Sequence, residues 1–183
     1  MDEHLFGHIN VPADHIHIPD ATAHDIPAHC EGYEGAIREA GGVDLQVLGV
    51  GHDGHIGFNE PTSSLASRTR IKTLTAGTLA ANRRYFASEE EMPHHVITMG
   101  VGTIMDARTC LLLAFGAGKA EAVAALVEGP ITAMCPASVL QMHRQAVVIL
   151  DDEAARHLKR ADYYRYVYAH KPSFQRTSSF PVR

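Results

Sequence analysis

Val43-Asp44-Leu45-Gln46-Val47-Leu48-Gly49-Val50-Gly51-His52-Asp53-Gly54-His55-Ile56-Gly57-Phe58-Asn59-Glu60-Pro61 is the stretch that decides the fold. Its first eight residues, 43–50, form a short, mainly apolar run that reads as a buried strand. Gly49, Gly51, Gly54 and Gly57 then let the backbone turn sharply and come close to a ligand. A loop at the C-terminal end of a buried strand is where open α/β sheets hold their ligands. Into this loop the sequence places Asp53, His55 and Glu60, a histidine with a carboxylate on either side. Such a histidine can be oriented and tuned as an acid/base near neutral pH. The alternative is a tight turn whose carboxylates cap backbone amides, with His55 packed against them. Clustered titratable groups at a strand end favour the functional reading. His52, without an obvious partner, reads as a surface residue.

Outward from the loop, strand and helix signals alternate. Upstream, residues 15–18 alternate like a strand, and residues 26–40 read as a helix with Pro27 in its first turn and Gly41-Gly42 as its stop. Downstream, strands are expected at 71–74, 95–99, 110–115 and 146–150. Helical segments are expected at 76–85, up to Ala107, at 119–128, at 137–143 and at 153–169. This alternation predicts an α/β fold, a Rossmann-like open and mainly parallel sheet with helices on both faces. With no repeat and no low-complexity linker, the chain reads as one α/β domain over residues 1–183, with 173–183 a loose tail.

Composition narrows the function. The 183 residues suffice for one real core, and the apolar (45%) and charged (20%) fractions are those of a soluble globular protein. A net charge of −5 leaves no broad basic face for nucleic acid, so an anionic ligand would need locally placed cations. No apolar run is long enough for a membrane span, and the first residues lack the features of a signal peptide. Cys30, Cys110 and Cys135 are far apart and odd in number, which points to reduced thiols in a cytoplasmic protein. The thirteen histidines form no HExxH or Cys/His framework, so no metal is expected.

Three further places carry cations in suggestive settings. Gly116-Ala117-Gly118-Lys119 leads into a helix, where backbone amides and a lysine would suit a phosphate; a solvated lysine after a flexible turn is the other reading. Arg83-Arg84 is a basic pair that, alone, reads as a solvated face. Ser67-Arg68-Thr69-Arg70-Ile71-Lys72-Thr73 interleaves cations with hydroxyls and would suit a second anion or a plain solvated loop.

Together these residues resemble glucosamine-6-phosphate deaminase, also called glucosamine-6-phosphate isomerase. The segments that carry the resemblance are GVGHDGHIGFNEP (49–61), SSLASRTRIKTL (63–74), ANRRYF (81–86), TMGVGTIMDA (98–107) and GAGKAEAV (116–123). The related 6-phosphogluconolactonases share the DGH element but continue differently, toward a Ser-Leu-Phe-Pro type of sequence. The resemblance implies a hydrolase-class deaminase of amino sugar metabolism, acting in N-acetylglucosamine degradation. It converts glucosamine 6-phosphate to fructose 6-phosphate and ammonia without a cofactor, because the substrate carries its own amine. It further implies that His55 opens the pyranose ring with Asp53 and Glu60 as partners, and that Arg84 and Lys119 bind the sugar phosphate. Residues 76–85 would be a mobile lid over that site. Ser63, Arg70, Lys72 and Thr73 match positions that bind N-acetylglucosamine 6-phosphate between subunits in allosteric members. A cytoplasmic homo-oligomer, often a homohexamer, is implied as well.

From about residue 5 the chain resembles the middle of the family sequence, so an N-terminally truncated version of the fold is expected. The portion that precedes this point in the family holds first strands, a phosphate-binding loop and an aspartate that moves a proton between C1 and C2. Neither Asp2 nor Asp14 stands in an equivalent context. Without those strands, residues 43–50 are expected to keep an uncovered face and an unpaired edge. Two other functions fit the same residues: a non-catalytic sugar-phosphate-binding or subunit module, and a 6-phosphogluconolactonase-like hydrolase.

Overall fold

The computed structural model describes residues 1–88 and 90–175. In chain order run α1 (Ile26–Glu39), β1 (Leu45–Gly49), β2 (Arg70–Thr73), α2 (Ala76–Asn82), β3 (His95–Thr98), α3 (Val101–Met105), β4 (Thr109–Ala114), α4 (Ala120–Glu128), β5 (Ala146–Leu150), α5 (Asp152–Ala155) and α6 (Ala161–Ala169). They gather into two compact units. One comprises Met1–Gly41 and Thr69–Thr98; the other takes Gly42–Arg68 and the chain from Met99 onward.

The second unit is built on a parallel sheet of order β1-β4-β5, with Leu45 opposite Thr109 and Cys110 opposite Ala146. The period of two puts Leu48, Cys110, Leu112 and Ala114 on one face. There they pack with Ile104 of α3 and with Val123 and Leu126 of α4 in a single apolar cluster. On the other face Leu45, Val47 and Ile149 stay about half exposed, at 52%, 54% and 45%. Leu112 lies fully buried in the middle of β4. Leu112→Ala is expected to lower the unfolding free energy by about 2–5 kcal/mol, read from the midpoint of an equilibrium urea melt. A loss under about 1 kcal/mol would mean that this sheet is not the cooperative core. Because all three strands run the same way, their C-terminal ends share one edge. The glycine loop leaves β1 there, residues 115–119 leave β4, and Asp151 leaves β5.

The first unit pairs β2 with β3 antiparallel, Arg70 opposite Thr98 and Thr73 opposite His95. Asp25 caps α1 by accepting the Ala28 amide at 3.0 Å, with Pro27 in the first turn. One helical turn apart on α1, Cys30 and Glu34 are buried. The Glu34 carboxylate accepts both the amide (2.8 Å) and the hydroxyl (2.6 Å) of Thr69, and so ties the helix to the start of β2.

The α/β reading with a mainly parallel sheet stands, but several local expectations change. Residues 15–18 are not a strand. A short 3₁₀ turn, Ala13–His15, is followed by unpaired backbone, and Ile18 is exposed. Alternation marks extended backbone, but Pro12 and Pro19 flank the segment and no strand among the described residues pairs with it. The helix expected over 153–169 is two, α5 and α6. The break is held by Glu128 at the end of α4, whose carboxylate accepts the Lys159 and Arg160 amides, each at 2.9 Å. Those bonds, the Lys159 amide first, hold the Glu128 carboxyl below its ordinary pKa. The segment expected at 137–143 is a 3₁₀ turn, Pro136–Met142, and α2 passes into another at Arg83–Tyr85. Lys119 stands at the N-cap of α4, at the end of a 3₁₀ turn, Ala117–Lys119. The expected tail, 173–183, begins with a 3₁₀ turn at Ser173–Gln175, and its remainder lies outside the described residues.

Candidate active site

The loop after β1 is held by its own backbone. Gly51 donates to the His55 carbonyl (2.9 Å), Gly54 donates to the Gly51 carbonyl (3.1 Å), and the Gly54 carbonyl accepts the Ala137 amide (2.9 Å). Two glycines are required here. A Cβ on Gly51 would collide with the His55 ring, and Gly54 has a φ of +84° with Cys135 packed against it. Asn59, fully buried, gives its side-chain amide to the Ile56 carbonyl (2.9 Å) and to the Met99 carbonyl (2.8 Å), which pins the loop to the residue just past β3. Thr62 adopts a left-handed φ of 76°, rare for a β-branched residue, with its amide on the Ala133 carbonyl at 2.8 Å.

Inside this frame Asp53 and His55 meet directly. One Asp53 oxygen, Oδ1, accepts the His55 amide (3.2 Å) and lies 2.7 Å from His55 Nδ1. Burial alone would push the Asp53 carboxyl up. The opposing pull of the His55 amide and ring, with a smaller contribution from His52, leaves it below its ordinary value. An ionised carboxylate only accepts, so Nδ1 carries a proton, and in the neutral imidazole Nε2 presents its lone pair. The pair is poised rather than sealed off, with side chains 18% and 27% exposed for His55 and Asp53. Glu60 lies in the same loop, 4% exposed, and its carbonyl accepts the Ser63 amide at 3.0 Å. His52 is exposed, as expected.

The remaining candidates fall as follows. Lys119 is half-buried at the sheet edge that also carries the His55 loop. Arg84 is exposed in the other unit, where its guanidinium bonds to the Tyr85 hydroxyl (2.8 Å) and lies over that ring. In the run 67–73 the Ser67 hydroxyl accepts the Val101 amide at 3.0 Å, and two further residues are tied to other elements. Arg68 pairs with Asp106 at 2.6 Å and Thr69 is held by Glu34. Strand alternation puts Arg70 and Lys72 on the half-buried face of β2 and Thr73 on its exposed face. Burial lowers the Arg70 pKa from its usual value. Ser63 is buried at 3% exposure, and its Oγ has no hydrogen-bond partner among the described residues. Cys30, Cys110 and Cys135 are free and buried. Burial raises the Cys135 thiol pKa; the nearby Asp53 charge adds to this, and the Ser138 amide opposes it.

Sequence reading missed Asn59 and Asp151. Both are short polar side chains next to an assigned motif. Each bonds across a long stretch of chain, Asn59 to Met99 and Asp151 to Gly116, which spacing alone does not reveal.

A family model described as glucosamine-6-phosphate isomerases/6-phosphogluconolactonase matches residues 1–149. The chain belongs to this family. A glucosamine-6-phosphate deaminase of Pseudarthrobacter chlorophenolicus is 60% identical over 167 residues, covering 91% of this chain and 64% of the relative. One from Streptomyces coelicolor is 62% identical over 158 residues, covering 86% and 60%. The solved structure of a monomeric glucosamine-6-phosphate deaminase is similar at a TM-score of 0.83 and 43% identity, covering 86% of this chain and 65% of that one. This likeness bears out the α/β fold class. The chain thus spans somewhat under two thirds of the length of these relatives.

Proposed function

We propose that this chain carries the ring-opening step of an aminosugar-phosphate deaminase/isomerase, whose whole reaction turns glucosamine 6-phosphate into fructose 6-phosphate and ammonia. The observation that carries the proposal is the 2.7 Å contact between His55 Nδ1 and Asp53 Oδ1 in a glycine loop at the C-terminal edge of a parallel sheet. With Nδ1 protonated, Nε2 takes the proton of the anomeric hydroxyl. The C1–O5 bond breaks with its electron pair going to O5, a C1 carbonyl forms, and the imidazolium returns the proton to O5. Asp53 stabilises the imidazolium that exists between the two transfers. Glu60 adds a second carboxylate to the same step. The later proton transfer between C1 and C2 needs a base other than these residues.

Ring opening is therefore the step to measure. Exchange between the α and β anomers of glucosamine 6-phosphate, followed by NMR, is expected to accelerate in the presence of the protein. Exchange at the uncatalysed rate with protein in excess would sink the reading. Lys119 and Arg84 are assigned to the phosphate, supported for Lys119 by its place on the sheet edge beside the His55 loop. Lys119→Ala and Arg84→Ala should each raise the KM of anomer exchange about tenfold, the size of one lost charged hydrogen bond. A change confined to kcat would remove the clamp assignment.

A second reading, non-catalytic binding of N-acetylglucosamine 6-phosphate, is favoured by the shared face of Arg70 and Lys72 on β2. Calorimetry with that compound tests it. Binding that survives both Ser63→Ala and Lys72→Ala would refute it. The hexamer implied by the resemblance is not carried into the proposal, since the solved relative at 43% identity is described as monomeric.

A further inference from the structure

Asp151 is the first residue past β5, and its carboxylate faces the loop that leaves β4. Both of its oxygens lie within hydrogen-bond distance of the Gly116 amide, at 3.0 and 2.9 Å, and Oδ1 also accepts the Ala154 amide at 2.8 Å. The last of these is an ordinary helix cap on α5. The contact with Gly116 is not, because it reaches across 35 residues to a neighbouring strand end.

Gly116 is where the chain leaves β4 for Lys119. Its backbone sits at φ 83° and ψ 157°, a conformation essentially restricted to glycine, whose freedom leaves the direction of the turn to be set by hydrogen bonds. The Gly116 carbonyl then accepts the Lys119 amide at 3.1 Å. Asp151, Gly116 and Lys119 are therefore linked in series, carboxylate to amide and carbonyl to amide. A carboxylate next to a phosphate-binding turn opposes an incoming anion unless its charge is engaged elsewhere. Here it is engaged by two backbone amides.

We propose that Asp151 is a positioning residue for phosphate binding. It fixes the Gly116–Lys119 turn so that the lysine ammonium and the turn amides meet the phosphate of the sugar. This rests on the assignment of Lys119 to the phosphate. Capping and positioning can be separated, because serine caps a helix about as well as aspartate. Asp151→Ser keeps an acceptor for Ala154 but is too short to reach Gly116. Asp151→Asn retains an oxygen able to serve both amides.

The test is an NMR titration of the 183-residue chain with glucosamine 6-phosphate, following the Gly116 and Lys119 amides, beside the kinetics of anomer exchange. Asp151→Ser is expected to weaken binding about tenfold and to raise KM in proportion while kcat falls less than twofold, with a thermal midpoint near wild type. Asp151→Asn is expected to stay within about threefold of wild type, the remnant of a shared acceptor. Wild-type affinity in Asp151→Ser overturns the proposal and leaves the Lys119 assignment standing. If the wild-type chain itself shows no shift at Gly116 or Lys119, the assignment falls and the proposal with it. Should Asp151→Ser fail to fold, Asp151→Asn decides alone. Affinity as poor as that of Lys119→Ala would show that the charge, not the hydrogen-bonded turn, matters, and would overturn the proposal.

Discussion

His55→Gln is expected to abolish most of the acceleration of glucosamine 6-phosphate anomer exchange, a loss of about 10²–10⁴ in rate, while leaving the thermal melt near wild type. Glutamine fills much of the same space and still offers a hydrogen-bonding amide to Asp53. It cannot take a proton near neutral pH and return it to a second oxygen. The ring is not a core element, since 18% of its side chain is exposed and the loop is closed by backbone bonds of Gly51, Gly54 and Ala137. The loss should therefore appear in activity and not in folding. Exchange at wild-type speed in His55→Gln would show that the ring only packs against Gly51. The alternative reading of the loop as a capped turn would then be the right one.

Much of this site could be read from the chain alone, and the reason is local. A short apolar run with four glycines at and beyond its end fixes both the strand and the kind of loop that follows it. Asp53 and His55 are two residues apart, so their contact needs no long-range information. β1, β4 and β5 fell within a residue or two of where apolar runs put them. Other features depended on residues far away. The break between α5 and α6 is held by Glu128, about thirty residues upstream. Pattern alone gave β2 and β3 as strands but carried no direction, and they pair antiparallel. The opposing faces of Lys72 and Thr73 follow from strand period once the strand is established. The resemblance alone had grouped them. Asn59 and Asp151 are the clearest gaps. Each is an unremarkable polar residue until its partner, Met99 or Gly116, is brought alongside by the sheet.

Asp53→Asn should cost nearly as much as His55→Gln, on the order of 10² in rate or more, by a different route. The wild-type carboxylate accepts from both the His55 amide and the His55 ring through one oxygen. Asparagine can place its oxygen on both groups, but it is neutral, so the imidazolium formed between the two proton transfers loses its counter-charge. If its NH₂ meets Nδ1 instead, the imidazole shifts to the tautomer that carries its proton on Nε2, and the lone pair is lost where the substrate needs it. The double variant should be no worse than the poorer single, because the two residues act as one unit. The acid limb of stability supplies an independent check. Asp53 titrates below its usual value of 3.8 in the folded chain, so its contribution is fully present above about that pH. It is lost as pH falls through the lowered folded value. Thermal midpoints taken from pH 7 down to pH 2 should therefore drop more steeply below about pH 4 for wild type than for Asp53→Asn, which has no carboxyl to protonate there. Parallel acid limbs would mean that the pairing adds nothing to the fold. Parallel limbs together with undiminished exchange would leave Asp53 no part in orienting His55, and ring opening would need another partner for the imidazole.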